Sequence, residues 1–234
     1  MNIVVTPGFM LDADLWTDTH VALEEIGPVL CADFSRGTSI EQFADQLLED
    51  ALPGPFLLIG FSMGGYVARE AVRRAPDRVA ALVMCGTSAR GDGALQARRQ
   101  ASAGAKSAHA FTGLSRNAIL RSFASDDADP GLVERVRQMG DELGGEVFMR
   151  QSNLHRAGDL DRLSDIRCPT LVIAGEKDRL RSVQESEELR DGIPGAAMTV
   201  MEGVGHMMPM EAPDRLSRIV IDWWKGLRLE SPSP

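Results

Sequence analysis

The sequence has only three cysteines, Cys31, Cys85 and Cys168. An odd number without metal-type spacing argues against a disulfide framework and against a zinc site. Each lies in or beside an apolar run, so all three are expected to be buried, reduced thiols. Positive charge is also scarce. Lys and Arg total 25 against 34 Asp and Glu, a formal net charge of −9. With no basic patch, a nucleic-acid partner is not expected. No Lys or Arg precedes Arg36, and the first apolar run is broken by Pro7-Gly8, so a secretory signal is not expected. No apolar run approaches the roughly 20 residues that cross a bilayer. Internal repeats and low-complexity tracts are missing as well. These absences lead to the expectation of a cytoplasmic protein with no membrane partner, no metal and no cofactor. They leave the oligomeric state open.

What is present is a chain of 234 residues, 44% apolar, enough for one domain with a sizeable insertion. Six short apolar runs stand out, at 2–6, 28–32, 56–61, 79–85, 170–174 and 198–201. They are nearly continuous rather than alternating, as in parallel strands covered on both faces. The segments between them read as helices. Ser39-Ile-Glu-Gln42 and Ser182-Val-Gln-Glu185 have the spacing of capping boxes. After the first, Phe43, Leu47, Leu48 and Ala51 share one face. The last helix starts near Pro213, with Leu216, Ile219, Val220, Trp223 and Leu227 as its buried stripe. Residues 231–234 are expected to be a disordered tail. From about 89 to 166 no strong strand appears. Helical patches such as Leu132, Val136, Met139 and Leu143 take over, interrupted by Gly144-Gly145. The fold class is therefore α/β, a mostly parallel sheet of about six strands flanked by helices. The helical insertion is expected over the crevice at the carboxyl ends of the strands.

The run 56–61 leads straight into Gly60-Phe61-Ser62-Met63-Gly64-Gly65 and a helical pattern. A serine at so sharp a strand-to-helix turn is forced into strained backbone angles, and Gly60 and Gly64 supply the small neighbours it needs. The turn also aims a helix start at the Ser62 hydroxyl, where N–H groups favour developing negative charge. A serine needs a base to become a nucleophile. Only four histidines are available, His20, His109, His155 and His206. His206 follows the last strand, in a loop at the carboxyl edge. His20 reads as surface, and His109 and His155 fall in the insertion. Asp178 lies in the loop after the strand at 170–174, with Glu176 as a local competitor. The order Ser62, Asp178, His206 is the one a nucleophile-elbow architecture requires. For an oxyanion, the Met63 N–H supplies one donor. The loop Thr6-Pro7-Gly8-Phe9-Met10 supplies the other, from Phe9 or, second, Met10.

These segments together resemble the α/β-hydrolase superfamily, in its small esterase, enol-lactonase and C–C-bond hydrolase branch. The resemblance rests on PGF near the start, GFSMGG, PTLVIAGEKD and GVGHMMPMEAP, and spans nearly the whole chain except the insertion. It implies a core at 1–90 and 166–230, a helical cap at 91–165, and a sheet without the family's first two strands. Pro7-Gly8 replaces the His-Gly common in the family, a change that backbone donors survive. The implied activity is that of a Ser-His-Asp hydrolase acting on a small, largely apolar ester or lactone through an acyl-enzyme on Ser62. A cofactor-free C–C-bond hydrolase or lyase with the same triad, or a non-catalytic receptor on the same scaffold, stays open. Met10, Met149, Asn153 and Met207 are candidate substrate-binding residues, with Phe9, Met63 and Met208 beside them. Arg150 and Arg156 are the cap cations available to a carboxylate.

Overall fold

The structure, a computed structural model, describes residues 1–91, 93 and 111–230, with nothing drawn from the side chains of 228–230. His109, part of the expected cap and the tail at 231–234 lie outside the described residues. The six strands are β1 (Asn2–Thr6), β2 (Val29–Cys31), β3 (Phe56–Phe61), β4 (Val79–Cys85), β5 (Thr170–Gly175) and β6 (Ala197–Met201). They form one sheet in the order β2-β1-β3-β4-β5-β6, and every pairing is parallel.

Alternation along the strands explains the continuous apolar runs. Ile3, Val5, Leu57, Ile59, Ala81, Val83, Leu171 and Ile173 face one side, under α1 (Thr17–Leu23) and the long C-terminal helix (Pro213–Glu230). Val4, Phe56, Leu58, Leu82, Met84 and Val172 face the other. That side is covered by α2 (Ile40–Asp50), α3 (Met63–Arg74) and the helix Val183–Gly192. Both faces of each central strand are dry, so neither can carry polar residues at alternate positions.

Between β4 and β5, the regular elements among the described residues are helices: α4 (Arg116–Leu120), α5 (Pro130–Ser152) and a short turn at Leu160–Asp165. α5 is bent at Gly144, which has φ 74° and ψ 180° in place of helical angles. The remaining helices are α6 (Val183–Gly192), α7 (Met208–Glu211) and α8 (Pro213–Glu230). On α8 the inward residues are Leu216, Val220 and Trp224, with Ile219, Trp223 and Leu227 partly buried beside them. Trp224, not Trp223, is thus the buried indole. The Ser182 capping box forms as expected, with Ser182 and Glu185 bonding reciprocally. At α2, Ser39 does accept from the Gln42 N–H, but Gln42 Oε1 turns to the Thr38 N–H and hydroxyl. The helix is capped, and only half of the expected box is made.

A buried ion-pair cluster fastens the insertion to α3. Arg69 is 0% exposed and donates to both Asp159 oxygens at 2.8 Å, to Ser88 O at 2.9 Å and to Gly65 O at 3.2 Å. Arg73, one turn on, also reaches Asp159. The Asp159 N–H donates to Ala89 O, and the Tyr66 hydroxyl to Arg90 O. Tyr66, Arg69 and Arg73 lie on one face of α3, so the helix that begins at the elbow holds both ends of the insertion. Removing one partner of such a cluster strands a charge in the interior. Asp159→Ala is therefore expected to cost about 3–5 kcal/mol at pH 7, read from the urea midpoint. Burial alone would raise the Asp159 carboxyl, but the hydrogen bonds and charges of Arg69 and Arg73 outweigh it and hold it below the usual range. A depressed carboxylate stabilises above its unfolded pKa. That contribution should fade as pH falls below about 4, and the Asp159→Ala penalty should shrink with it.

Candidate active site

The site forms where the chain reverses its direction of travel across the sheet. From β1 the chain moves to the edge at β2; from β3 it moves the other way. A crevice opens at such a switch, outside the carboxyl ends of β1 and β3. One wall is the loop after β1. The other is the turn from β3 into α3, with Ser62 at its apex.

Ser62 has φ 51° and ψ −113°, and Met10 in the facing loop, φ 54°, is the other non-glycine residue at positive φ among the described residues. The elbow is held by Ser62 N–H to Cys85 O at 2.9 Å and Thr87 Oγ1 to Ser62 O at 2.7 Å. Its glycines are required by different neighbours. A Cβ on Gly64 would lie 2.1 Å from Thr6 Oγ1, and one on Gly60 would lie 2.8 Å from Ala68 Cβ. A Cβ on Gly65 would lie 2.3 Å from Thr87 Oγ1. Each contact is far inside van der Waals distance, so the turn tolerates no larger residue without moving the strand or the helix.

β5 and β6 deliver the other two side chains because they are neighbours. The Glu176 N–H donates to Met201 O and the Lys177 N–H to Val204 O, which stitches the two loops together. Asp178 Oδ1 accepts the N–H groups of Leu180 and Arg181 at 2.8 and 2.9 Å. Its Oδ2 faces His206 Nδ1 at 2.7 Å, and His206 Nε2 lies 2.9 Å from Ser62 Oγ. Because the carboxylate only accepts, Nδ1 carries the proton and Nε2 is the acceptor for the Ser62 hydroxyl. His206 is 4% exposed, and its ring packs against Phe61 at 5.0 Å between centroids. Glu176, the competitor, is exposed and accepts from the Gly203 N–H at 2.9 Å.

The other expected residues are distributed as follows. Met63 is the first residue of α3, so its N–H belongs to the unpaired first turn of a helix. Phe9 is half-buried and packs edge-on against Phe148 of α5 at 5.9 Å. Met10 is 0% exposed, and its N–H donates to Gln151 Oε1 at 2.8 Å. Met207 and Met208 are buried in the core beside the histidine loop. Met149 is half-buried on α5, while Asn153 is exposed and donates back to Met149 O. Arg150 donates to Ser35 O at 2.6 Å, Arg156 is buried over the Tyr66 ring, and His155 is exposed. His20 pairs with Glu24 at 3.4 Å on the surface of α1. The three cysteines are free thiols, and burial, helped by Asp12 and Asp33, pushes Cys31 up to about 12.

Residues without a sequence signal brace the loops and helices around these side chains. Glu211 Oε2 accepts the N–H groups of Ala124 at 2.9 Å and Gly205 at 3.3 Å, which ties the histidine loop to the end of α4. Burial pushes its carboxyl above the usual range. Gln151 and the Arg69–Asp159 pair are the others.

A parallel sheet with a strained serine elbow, backed by histidine and aspartate in line, is the layout of an α/β-hydrolase. Residues 3–219 match the model of the alpha/beta hydrolase family, and the chain belongs to that family. Among its relatives is a pimeloyl-[acyl-carrier protein] methyl ester esterase of Aromatoleum aromaticum, 26% identical over 82% of each chain. A 2-hydroxy-6-oxononadienedioate/2-hydroxy-6-oxononatrienedioate hydrolase of Paraburkholderia xenovorans is 27% identical over 84% of this chain and 71% of its own. Among solved structures, a thermophilic esterase from Thermogutta terrifontis superposes with a TM-score of 0.85 and 26% identity, over 97% of this chain and 90% of that one. The enol-lactonase from Burkholderia xenovorans LB400 gives a TM-score of 0.83 and 25% identity, over 96% and 91%. Among the described residues, no helix is long and apolar enough to cross a membrane.

Proposed function

We propose that this chain is a serine hydrolase that cleaves a small, largely apolar carboxylic ester or lactone. The observation that carries the reading is the continuous line from Asp178 through His206 to Ser62, 2.7 and 2.9 Å, on an elbow at positive φ. In this reading His206 Nε2 takes the hydroxyl proton as Ser62 Oγ attacks the carbonyl carbon. The carbonyl oxygen becomes an oxyanion held by the N–H groups of Met63 and Phe9. Asp178 stabilises the imidazolium. The tetrahedral adduct collapses, His206 returns the proton to the leaving oxygen, and an acyl-enzyme remains on Ser62. Water, activated by the same imidazole, releases the acid. The residues from 91 to 165 act as a cap that shapes the acyl pocket, with Met10, Met149, Asn153 and Met207 as the proposed contacts. The esterase and enol-lactonase among the similar proteins support this substrate class.

Two measurements test it together. A fluorophosphonate should label Ser62 at one equivalent and block turnover in parallel. A panel of aryl esters, aliphatic esters and lactones, run against vinylogous β-diketones, should give its highest kcat/KM on an ester or lactone. Preference for the diketones would move the reading to C–C-bond cleavage. Full labelling without turnover of any compound would make the chain a receptor.

A further inference from the structure

We infer that Gln151, far along the insertion, is a positioning residue for the reaction. Its amide bridges the loop after β1 to the loop after β2 and holds the first in the shape that turns a backbone N–H toward Ser62. This rests on the serine-hydrolase reading for its catalytic half. The bridge itself stands on geometry. Gln151 is 1% exposed. Its Oε1 accepts from the Met10 N–H at 2.8 Å, and its Nε2 donates to Phe34 O at 3.1 Å. The two partners decide the orientation of the amide, because a backbone N–H only donates and a carbonyl only accepts.

The residue on the receiving end is the strained one. Met10 sits at φ 54°, in the left-handed region that side chains with a Cβ rarely adopt. Such a conformation persists only where its surroundings over-determine it. Here the surroundings come from one turn of α5. Phe148 packs on Phe9, Arg150 donates to Ser35 O, and Gln151 takes the Met10 N–H. The first half of α5 is anchored as well, through Arg135 to Asp14 in the helical turn that follows this loop and to Asp18 in α1. The insertion therefore reaches the oxyanion loop from above and fixes it, apart from any contact with substrate. It also bears on one of the two oxyanion candidates in the loop. The Met10 N–H, the second candidate for the oxyanion, is committed to Gln151.

Glutamine is the side chain this bridge requires. It carries an acceptor and a donor on one planar group. Glutamate keeps the acceptor for Met10 and, in the neutral form that so buried a site favours, an O–H donor for the Phe34 carbonyl. Methionine matches the length and offers neither.

The experiment measures amide hydrogen exchange at Met10 together with kcat and KM on the best aryl ester. Gln151→Met is expected to speed exchange at Met10 by at least about 10-fold. It should lower kcat by about 10- to 100-fold with KM within about threefold. That is less than the 100- to 1000-fold loss from deleting an oxyanion donor, because here the loop is loosened and not removed. Gln151→Glu, which keeps the acceptor, should keep Met10 protected and retain most of the rate. It carries the test if the Met variant does not fold, and loss of Met10 protection in it overturns the assignment. Unchanged exchange in Gln151→Met removes the bridge. Faster exchange with unchanged kcat, in an enzyme that Ser62→Ala inactivates, removes the catalytic role. A wild-type protein that turns over no ester fails the serine-hydrolase reading and the catalytic half with it, while the exchange data still judge the bridge.

Discussion

Ser62→Ala is expected to lower kcat by about 10⁶-fold, the scale of loss when a triad nucleophile is deleted. Among the described residues, Ser62 is the hydroxyl that the fold places on His206 Nε2, so no described neighbour is positioned to take over. The fold should hardly notice. The elbow is held by backbone groups, the Ser62 N–H on Cys85 O and Thr87 Oγ1 on Ser62 O, and alanine keeps both. At φ 51° alanine and serine bear similar strain, since each has one Cβ. The urea midpoint should therefore shift little while turnover and fluorophosphonate labelling vanish. An alanine variant that hydrolyses the same ester at the wild-type rate would end the nucleophile assignment.

Asp178→Asn should cost about 10⁴-fold in kcat, about 5 kcal/mol of transition-state stabilisation. The reason is directional. Two backbone N–H groups, from Leu180 and Arg181, point at Oδ1. In the asparagine variant they hold the amide oxygen in that place, which turns the NH₂ toward His206. A donor now faces Nδ1, the proton moves to Nε2, and Ser62 loses its base with almost no displacement of atoms. Glu176→Gln is the control and should stay within about threefold, because Glu176 serves the Gly203 turn. Near-normal activity in Asp178→Asn, or a large loss in Glu176→Gln, would reverse the assignment.

What could be read from the sequence follows from how local the causes are. The four inner strands were legible because burial on both faces leaves an uninterrupted apolar run, as in Phe56–Phe61, while the edge strands Val29–Cys31 and Ala197–Met201 are only partly buried and were marked by shorter apolar runs. The elbow was legible because its steric demands fall on positions two residues either side of Ser62. His206 could be picked from four histidines by its place after the last strand. Gln151 had no such signal. It is one polar residue on a helix, and its partner is 141 positions away. Arg69 and Asp159, separated by 90 positions, were equally silent. Gln42 shows the limit at short range, since its spacing fits a capping box and yet its oxygen goes to Thr38. The methionines had apolar bulk but no direction, so sequence could nominate them for a pocket and not orient them. Met10 and Met207 are buried, and the Met10 N–H is already bonded.

The two ends of the insertion meet where a Cβ on Gly158 would lie 2.7 Å from the Gly91 nitrogen. A segment whose entry and exit touch can be exchanged without stretching the sheet beneath it. The amide that steadies the Met10 bend travels with that segment. Any segment transplanted there must bring its own replacement for that crosspiece, or the Met10 bend is left without its acceptor.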